Sequence, residues 1–88
     1  MNSGPITYEL IENVMIEKLA DSLSISEDDI DIDKPINDFG LDSMAMLSLG
    51  ETLGTILGRK MEPTLLWYYP TIESLSNHLV DEWNLTNN

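Results

Sequence analysis

The sequence has no cysteine, a single histidine and only four basic residues among its 88. The missing cysteine excludes a disulfide framework and a thiolate metal site, so the polypeptide itself supplies no thiol chemistry. The lone histidine, His78, supports neither a zinc site nor a pairing of base and nucleophile. We therefore expect no catalytic residue and no metal site in this chain.

Long apolar runs and a basic leader are also missing. No stretch approaches the roughly 20 apolar residues of a membrane span, and the N-terminus does not have the pattern of a secretory signal. Sixteen acids against four bases give a formal net charge of −12, which argues against nucleic acid or an anionic membrane surface as a partner. We expect a monomeric cytoplasmic protein of one domain, residues 1–88, with an ordered core over about 6–84 and flexible ends.

The N-terminal half predicts one amphipathic helix and then a long loop. Apolar residues recur at i+4 steps between Tyr8 and Leu23, which indicates a helix of about four turns. The acid-rich stretch that follows breaks this period, and Pro35 argues against a strand. We expect an ordered loop with a short turn capped by Ser26 and with three apolar side chains in the core, which are Ile30, Ile36 and Phe39.

Three acids in this loop have the spacing of the first calcium ligands. They are Asp29, Asp31 and Asp33, but Lys34 and Gly40 then stand where a calcium loop needs glycine and glutamate. We interpret the segment as a solvated acidic loop rather than a specific metal site.

The second helix is predicted from its end signals and its apolar content. Either Asp42 or Ser43 can be its N-cap, and Gly58 marks its end after Leu57. Its predicted buried residues are Met46, Leu47, Leu49, Leu53, Ile56 and Leu57.

The C-terminal part predicts a short helix and a last long one. Pro63 and Thr64 open a single turn that ends at Pro70, and Thr71 caps a helix that runs to about Trp83. The core face of this last helix is expected to consist of Ile72, Leu75, Leu79 and Trp83. The predicted fold is therefore all-α, a small four-helix bundle of three longer helices and one short helix, with a long ordered loop between helices 1 and 2.

Two internal features each leave two interpretations open. Gly50 and Gly54 lie inside the second helix, where each costs about 1 kcal/mol relative to alanine, so either a neighbouring helix approaches closely or the space accommodates a ligand or partner. The aromatic run Trp67, Tyr68 and Tyr69 consists either of core anchors or of a contact surface.

The stretch "DFGLDSM", residues 38–44, places a glycine, an acid and a serine at the start of the second helix. Local chemistry favours Ser43 as a helix cap over Ser43 as a nucleophile, because no histidine or lysine lies within several residues and no G-x-S-x-G elbow is present. The same position suits a phosphate ester, since free N–H groups and the positive end of the helix dipole stabilise an anion. A serine that cannot activate itself can still be modified by another enzyme.

"DFGLDSM" is similar to the D-S-L/M motif of phosphopantetheine carrier domains. The order of the elements fits that family, and "TLLWYYPTIESLSNHL" resembles the "T-L-L-F-D-Y-P-T" stretch and following helix of polyketide-synthase acyl carrier proteins. The resemblance covers roughly residues 8–83. It implies an acyl-carrier-like fold in which the hydroxyl of Ser43 accepts 4′-phosphopantetheine from coenzyme A, a transfer made by a separate Mg-dependent phosphopantetheinyl transferase.

The resemblance further implies a non-catalytic carrier for polyketide or fatty acid biosynthesis. The thiol of the arm holds acyl intermediates as thioesters and delivers them to an acyl-loading enzyme, a ketosynthase or acyltransferase, or other synthase domains with basic patches. Leu41, Asp42 and Met44 correspond to residues that contact the transferase and the arm. Asp42 before the serine resembles acyl carriers, whereas a peptidyl or D-alanyl carrier, or a small acidic helical adaptor without a prosthetic group, is the alternative.

The chain departs from this family in two places. The second helix has few of the acids with which fatty-acid-synthase carriers contact basic partners, and "WYY" replaces the commoner Phe-Asp-Tyr. We therefore expect partner recognition to depend on the loop over residues 27–42 or on a less charged contact.

Overall fold

Four α-helices form within residues 6–62 and 64–87, the part of the chain that the computed structural model describes. Two 3₁₀ turns lie between the first two helices, and no strand occurs in the described part beyond an isolated bridge of Pro35 and Thr71. The predicted all-α fold with three longer helices, one short helix and a long loop is confirmed. The elements are α1 Tyr8–Leu23, the turns Glu27–Asp29 and Ile36–Phe39, α2 Ser43–Leu57, α3 Leu65–Tyr68 and α4 Ile72–Asn87.

Threonine side chains cap α1 and α4. The Thr7 hydroxyl accepts a hydrogen bond from the Leu10 N–H at 3.1 Å. The Thr71 hydroxyl accepts one from the Ser74 N–H at 3.0 Å, and the Ser74 hydroxyl accepts one from the Thr71 N–H at 3.1 Å, which is a reciprocal capping arrangement. The predicted end of α4 at Trp83 is wrong, because no glycine or proline follows to stop the helix and it continues to the end of the described chain.

The core lies where α1 packs against α4 and α2. From α2, Leu49, Leu53 and Leu57 are buried at i+4 spacing. The prediction that Leu47 is buried is wrong, since its side chain is 57% exposed. The fully enclosed apolar side chains come from α1, the loop, α2 and α4, and they are Ile11, Met15, Leu19, Ile36, Leu53, Ile72 and Leu79.

The loop between α1 and α2 is tied to the start of α4. The Ile36 N–H donates to the Pro70 carbonyl at 2.7 Å, and the Glu73 N–H donates to the Ile32 carbonyl at 3.2 Å. These bonds fix the course of the chain on its way to α2. The loop at Ile32 and Ile36 is therefore held against the start of α4 rather than left free.

Apolar side chains also anchor the loop, as predicted. Ile30 and Ile36 are buried, and Ser26 caps the first 3₁₀ turn. Phe39 is only half-buried, and the Lys34 Nζ lies 4.9 Å from the centroid of its ring. The expectation that Phe39 joins the core is thus confirmed in part, because the ring also forms a surface contact with a cation.

Candidate functional site

Ser43 is the first residue of α2, and its side chain is exposed. The chain turns into this position at Gly40, whose φ of 80° lies in the region that favours glycine. The Asp42 carboxylate accepts a hydrogen bond from the Ala45 N–H at 2.8 Å, and the Asp42 carbonyl accepts one from the Met46 N–H at 3.0 Å. The N-cap is therefore Asp42, and the interpretation of Ser43 as the cap is wrong.

The residues that flank Ser43 differ in exposure. Asp42 and Met44 are exposed, and the Met44 side chain keeps 73% of its accessible surface. Leu41 is half-buried and packs against the core. A protein that approaches Ser43 therefore contacts Asp42 and Met44 directly. Leu41 instead attaches the residues before Ser43 to the core.

The start of α2 suits an anionic ester on the Ser43 hydroxyl. The first N–H groups of a helix have no acceptor in its own ladder, and of the first three in α2 the Asp42 carboxylate accepts a hydrogen bond only from that of Ala45. The N–H groups of Ser43 and Met44 therefore remain at the positive end of the helix dipole, where a phosphate is stabilised. An exposed hydroxyl at this position fits the attachment of a phosphate-linked group.

A groove of about 1120 Å³ runs along α2 and includes Ser43 in its lining. Gly50 and Gly54 lie on the α2 side, and Leu65 and Leu66 of α3 lie on the other side, with the connecting segment between them. The sequence did not predict this groove, because its second wall depends on where the short α3 packs. Its one signal in the sequence was the pair of glycines in α2.

The two glycines face the segment that follows α2, not a neighbouring helix. A Cβ on Gly54 would lie 2.5 Å from the Arg59 carbonyl oxygen, and a Cβ on Gly50 would lie 3.9 Å from the Cβ of Met61. The interpretation as a helix–helix approach is therefore wrong. Gly50, Gly54 and Met61 all line the groove, so the space left by the missing side chains of the two glycines is part of it.

The lone histidine, on α4, contacts the residue that directly follows α3. The His78 imidazole stacks on the ring of Tyr69, with centroids 3.9 Å apart and planes inclined by 12°. Its Nε2 lies 3.5 Å from a carboxylate oxygen of Glu82, which also forms an ion pair with Arg59. These contacts link the residue after α3, helix α4 and the segment after α2, and they give His78 a packing role.

The aromatic run on α3 is divided between packing and exposure. Tyr69 packs on the core, but Trp67 and Tyr68 keep 79% and 74% of their accessible surface. The interpretation of the run as core anchors is wrong for Trp67 and Tyr68. Both side chains face outward from the helix that forms the second wall of the groove.

Acidic side chains meet where α1, the loop and α4 join. Repulsion from Asp33, with a hydrogen bond to it, raises the pKa of Glu73 above its ordinary value of 4.5. A hydrogen bond to Glu12, then burial and the neighbouring acids, raise the pKa of Tyr8 to about 12. No group of three or more His, Cys, Asp or Glu side chains in residues 6–62 and 64–87 is arranged to hold a metal ion.

Among the helices of the described chain, none has the length and apolar content that a membrane crossing requires.

Comparison with known proteins places this geometry in a family. The family profile described as a phosphopantetheine attachment site matches residues 13–79. The chain is 35% identical over 74 residues to a 5-methyl-1-naphthoate synthase of Streptomyces sahachiroi, and 37% identical over 79 residues to a 6-methylsalicylic acid synthase of Arthrobotrys oligospora. These matches cover 84% and 89% of this chain, but it spans only 4% of either relative's length.

Solved structures of carrier proteins share the fold. An acyl carrier protein of Anabaena sp. PCC 7120, with a variant phosphopantetheinylation-site sequence, superposes with a TM-score of 0.80 at 30% identity, over 94% of this chain and 96% of that one. A free-standing peptidyl carrier protein of Acinetobacter baumannii gives a TM-score of 0.76 at 33% identity, over 85% and 94%. The chain therefore belongs to the phosphopantetheine carrier family, whose prosthetic group is covalent 4′-phosphopantetheine, and it has the acyl carrier fold.

Proposed function

We propose that this chain is a non-catalytic acyl carrier of the polyketide type, modified at Ser43. The observation that carries this function is the position of the Ser43 hydroxyl, which is exposed at the N-terminus of α2 and lies in the lining of the groove. Asp42 supplies the cap, so Ser43 is not needed to hold the helix together. When bound, 4′-phosphopantetheine supplies a terminal thiol that holds acyl groups as thioesters.

Attachment requires a second protein. The Ser43 oxygen forms a bond to the β-phosphorus of coenzyme A, the P–O bond of the pyrophosphate breaks, and adenosine 3′,5′-bisphosphate leaves with the electron pair. A Mg-dependent phosphopantetheinyl transferase takes up the hydroxyl proton, because the chain places its one histidine in a packing contact. Exposed Asp42 and Met44 are the proposed contacts of the transferase and the arm, and Leu41 contributes through the groove lining.

The residue before the serine and the curated relatives support an acyl cargo. Asp42 before the serine is similar to the residue at this position in acyl carriers, and another relative, 31% identical over 78 residues, is the polyketide synthase PksM of Bacillus subtilis. In this function residues 1–88 act as one carrier domain in the cytoplasm. It exchanges cargo with an acyl-loading enzyme and with a ketosynthase, an acyltransferase or other synthase domains, whose basic patches suit a chain of net charge −12.

A peptidyl carrier is the second candidate, since a solved structure of that class is 33% identical to this chain. The cargo that the modified chain accepts separates the acyl carrier from the peptidyl carrier. The modified chain is offered malonyl or acetyl groups by an acyltransferase and amino acids by adenylating enzymes. An acyl carrier accepts the former and a peptidyl carrier the latter.

Intact mass spectrometry tests the attachment. The purified chain is incubated with coenzyme A, Mg²⁺ and a transferase of broad specificity. We expect the wild type and Ser48→Ala, a control on the same helix, to gain the mass of one phosphopantetheine group, and Ser43→Ala to gain none. No gain on the wild type would contradict the carrier function, and an equal gain on Ser43→Ala would contradict the site.

A further inference from the structure

Methionine is the only sulfur-containing residue type of this chain. The sequence has five methionines and no cysteine, so a methionine thioether is the group of the unmodified polypeptide that a peroxide oxidises first. Exposure to solvent then decides which methionine reacts. Residues 6–62 and 64–87 contain four of the five, which are Met15, Met44, Met46 and Met61.

These four thioethers differ strongly in exposure. The Met15 side chain is fully enclosed in the core. Met46 and Met61 are half-buried and pack against the core. Met44, in contrast, keeps 73% of its accessible surface. A peroxide in solution therefore reaches the sulfur of Met44 before it reaches those of the other three.

Met44 directly follows Ser43 in the first turn of α2. Both side chains are exposed at the same end of the helix, so a protein that reaches the Ser43 hydroxyl also displaces water from Met44. The thioether is a soft, apolar group that loses few hydrogen bonds when water leaves. The sulfoxide has a strongly polar S–O group, whose removal from water costs free energy unless the approaching protein donates a hydrogen bond to it. Oxidation of Met44 therefore weakens the approach to Ser43 without changing Ser43 itself.

The fold tolerates an added oxygen at this position. Met44 is not among the side chains that pack on the core, and Asp42 supplies the cap of α2. An oxygen on Met15 would instead place a polar group in the enclosed core and destabilise the chain. An effect of Met44 oxidation on the reaction at Ser43 is thus separable from an effect on stability.

We propose that Met44 is a reversible oxidation site, at which a peroxide converts the thioether to the sulfoxide and thereby slows the attachment of phosphopantetheine to Ser43. The sulfur forms a bond to one oxygen of hydrogen peroxide, the O–O bond breaks, and the second oxygen leaves with the electron pair as water after protonation. The sulfur is oxidised by two electrons and the peroxide is reduced by two. This inference rests on the proposed function.

The reverse reaction needs a reductase and a dithiol. Methionine sulfoxide reductases return the sulfoxide to the thioether. The oxygen leaves as water, and the two thiols of the reductant become a disulfide. The chain has no cysteine of its own, so the dithiol comes from the reductase system.

Treatment of the unmodified chain with hydrogen peroxide tests the site in two measurements. Peptide mass spectrometry gives the order in which the methionines gain oxygen. After the peroxide is removed, a transferase of broad specificity gives the rate of phosphopantetheine transfer from coenzyme A. We expect Met44 to gain oxygen first and kcat/KM of the singly oxidised chain to fall about tenfold, mainly through KM. The reductase with a dithiol should restore the rate, and the melting temperature should not change.

Two leucine variants are the controls. Each variant is compared with itself before and after peroxide, so that a difference in the untreated rate has no influence. Met44→Leu has an apolar side chain without sulfur, and its rate should not respond to peroxide. Met46→Leu, two residues further along α2, retains Met44, so its rate should fall as that of the wild type does.

Four results would overturn the inference. Oxygen could appear on Met46 or Met61 before it appears on Met44. The singly oxidised wild type could react at the untreated rate. Met44→Leu could lose as much activity as the wild type, which would assign the loss to another residue, and a loss that the reductase does not restore would contradict reversibility. The absence of any phosphopantetheine gain on the untreated wild type contradicts the carrier function instead, and it is measured before peroxide is added.

Discussion

The carboxylate of Asp42 accepts a hydrogen bond from the backbone N–H of Ala45, with Oδ1 and N 2.8 Å apart. Because of this bond, Asp42 rather than Ser43 caps the helix. The Asp42 carboxylate accepts a hydrogen bond from a backbone N–H in the first turn of α2, and the hydroxyl of Ser43 in the same turn is not needed for capping. A bulky group on Ser43, the proposed attachment site, would therefore not compete with the cap.

Substitutions at the two positions should accordingly have different effects on stability. We expect Asp42→Ala to lower the free energy of unfolding by about 1 kcal/mol through loss of the cap. Asp42→Asn should keep the stability close to that of the wild type, because asparagine is an equally good cap. Ser43→Ala should stay within about 0.5 kcal/mol of the wild type. Urea denaturation measures all three. A loss in Ser43→Ala as large as that in Asp42→Ala would contradict the assignment of the cap.

The sequence predicted the long helices well because their signals are local. The i+4 apolar spacing of α1 and the left-handed Gly58 at the end of α2 each act within a few residues. The choice between Asp42 and Ser43 as cap could not be made, because both residue types are good caps and only the backbone geometry decides. The motif around Ser43 still located the candidate attachment site.

Exposure was harder to predict than helix position. The first turns of α2 are apolar on nearly every side, so periodicity did not reveal that Leu47 faces solvent while Leu49 and Leu53 face the core. A helix of four residues such as α3 has no period at all, and its orientation depends on contacts distant in sequence, such as the stacking of Tyr69 on His78. The second wall of the groove and the exposure of Trp67 and Tyr68 follow from that orientation, and therefore emerged only from the structure.

Alanine at the two glycines of α2 should change stability in opposite directions. A Cβ on Gly54 would meet the backbone carbonyl of Arg59 at 2.5 Å, so the turn after α2 must shift. We expect Gly54→Ala to cost about 1–3 kcal/mol. Gly50→Ala brings a Cβ to an ordinary 3.9 Å from Met61 and should gain about 0.5–1 kcal/mol from helix propensity. Thermal or urea unfolding measures both variants, and a stabilising Gly54→Ala would show that the turn yields easily.

Removal of the Phe39 ring should destabilise the chain less than removal of a fully buried phenylalanine. The ring is half-buried and lies under the Lys34 ammonium group at 4.9 Å. We expect Phe39→Ala to cost about 2 kcal/mol, below the 3–5 kcal/mol typical of an enclosed ring. Lys34→Met removes only the cation and should cost about 0.5–1 kcal/mol. An unchanged unfolding midpoint for Phe39→Ala would mean that the ring contributes nothing to anchoring the loop.

The contact between Asp33 and Glu73 should make stability depend on pH below neutrality. Repulsion by Asp33 raises the pKa of Glu73 in the folded chain above 4.5, so the folded state binds more protons than the unfolded state just above that pH. The free energy of unfolding therefore falls as the pH rises from 4.5 through the raised pKa of Glu73, and the repulsion destabilises the fold fully at neutral pH. Lowering the pH to 4.5 and below protonates Glu73 and removes the repulsion.

Glu73→Gln removes this repulsion, and we expect its melting temperature to exceed that of the wild type at pH 7. The difference should shrink as the pH falls through the window, since the wild-type carboxyl then becomes neutral as well. Glu9→Gln is the matched control, because Glu9 is the acid in the first turn of α1 as Glu73 is in α4, and both favour the helix dipole. Glu9→Gln should be no more stable than the wild type at pH 7. If Glu73→Gln melts lower as well, the dipole outweighs the repulsion, and the junction of the loop with α4 is not under electrostatic strain.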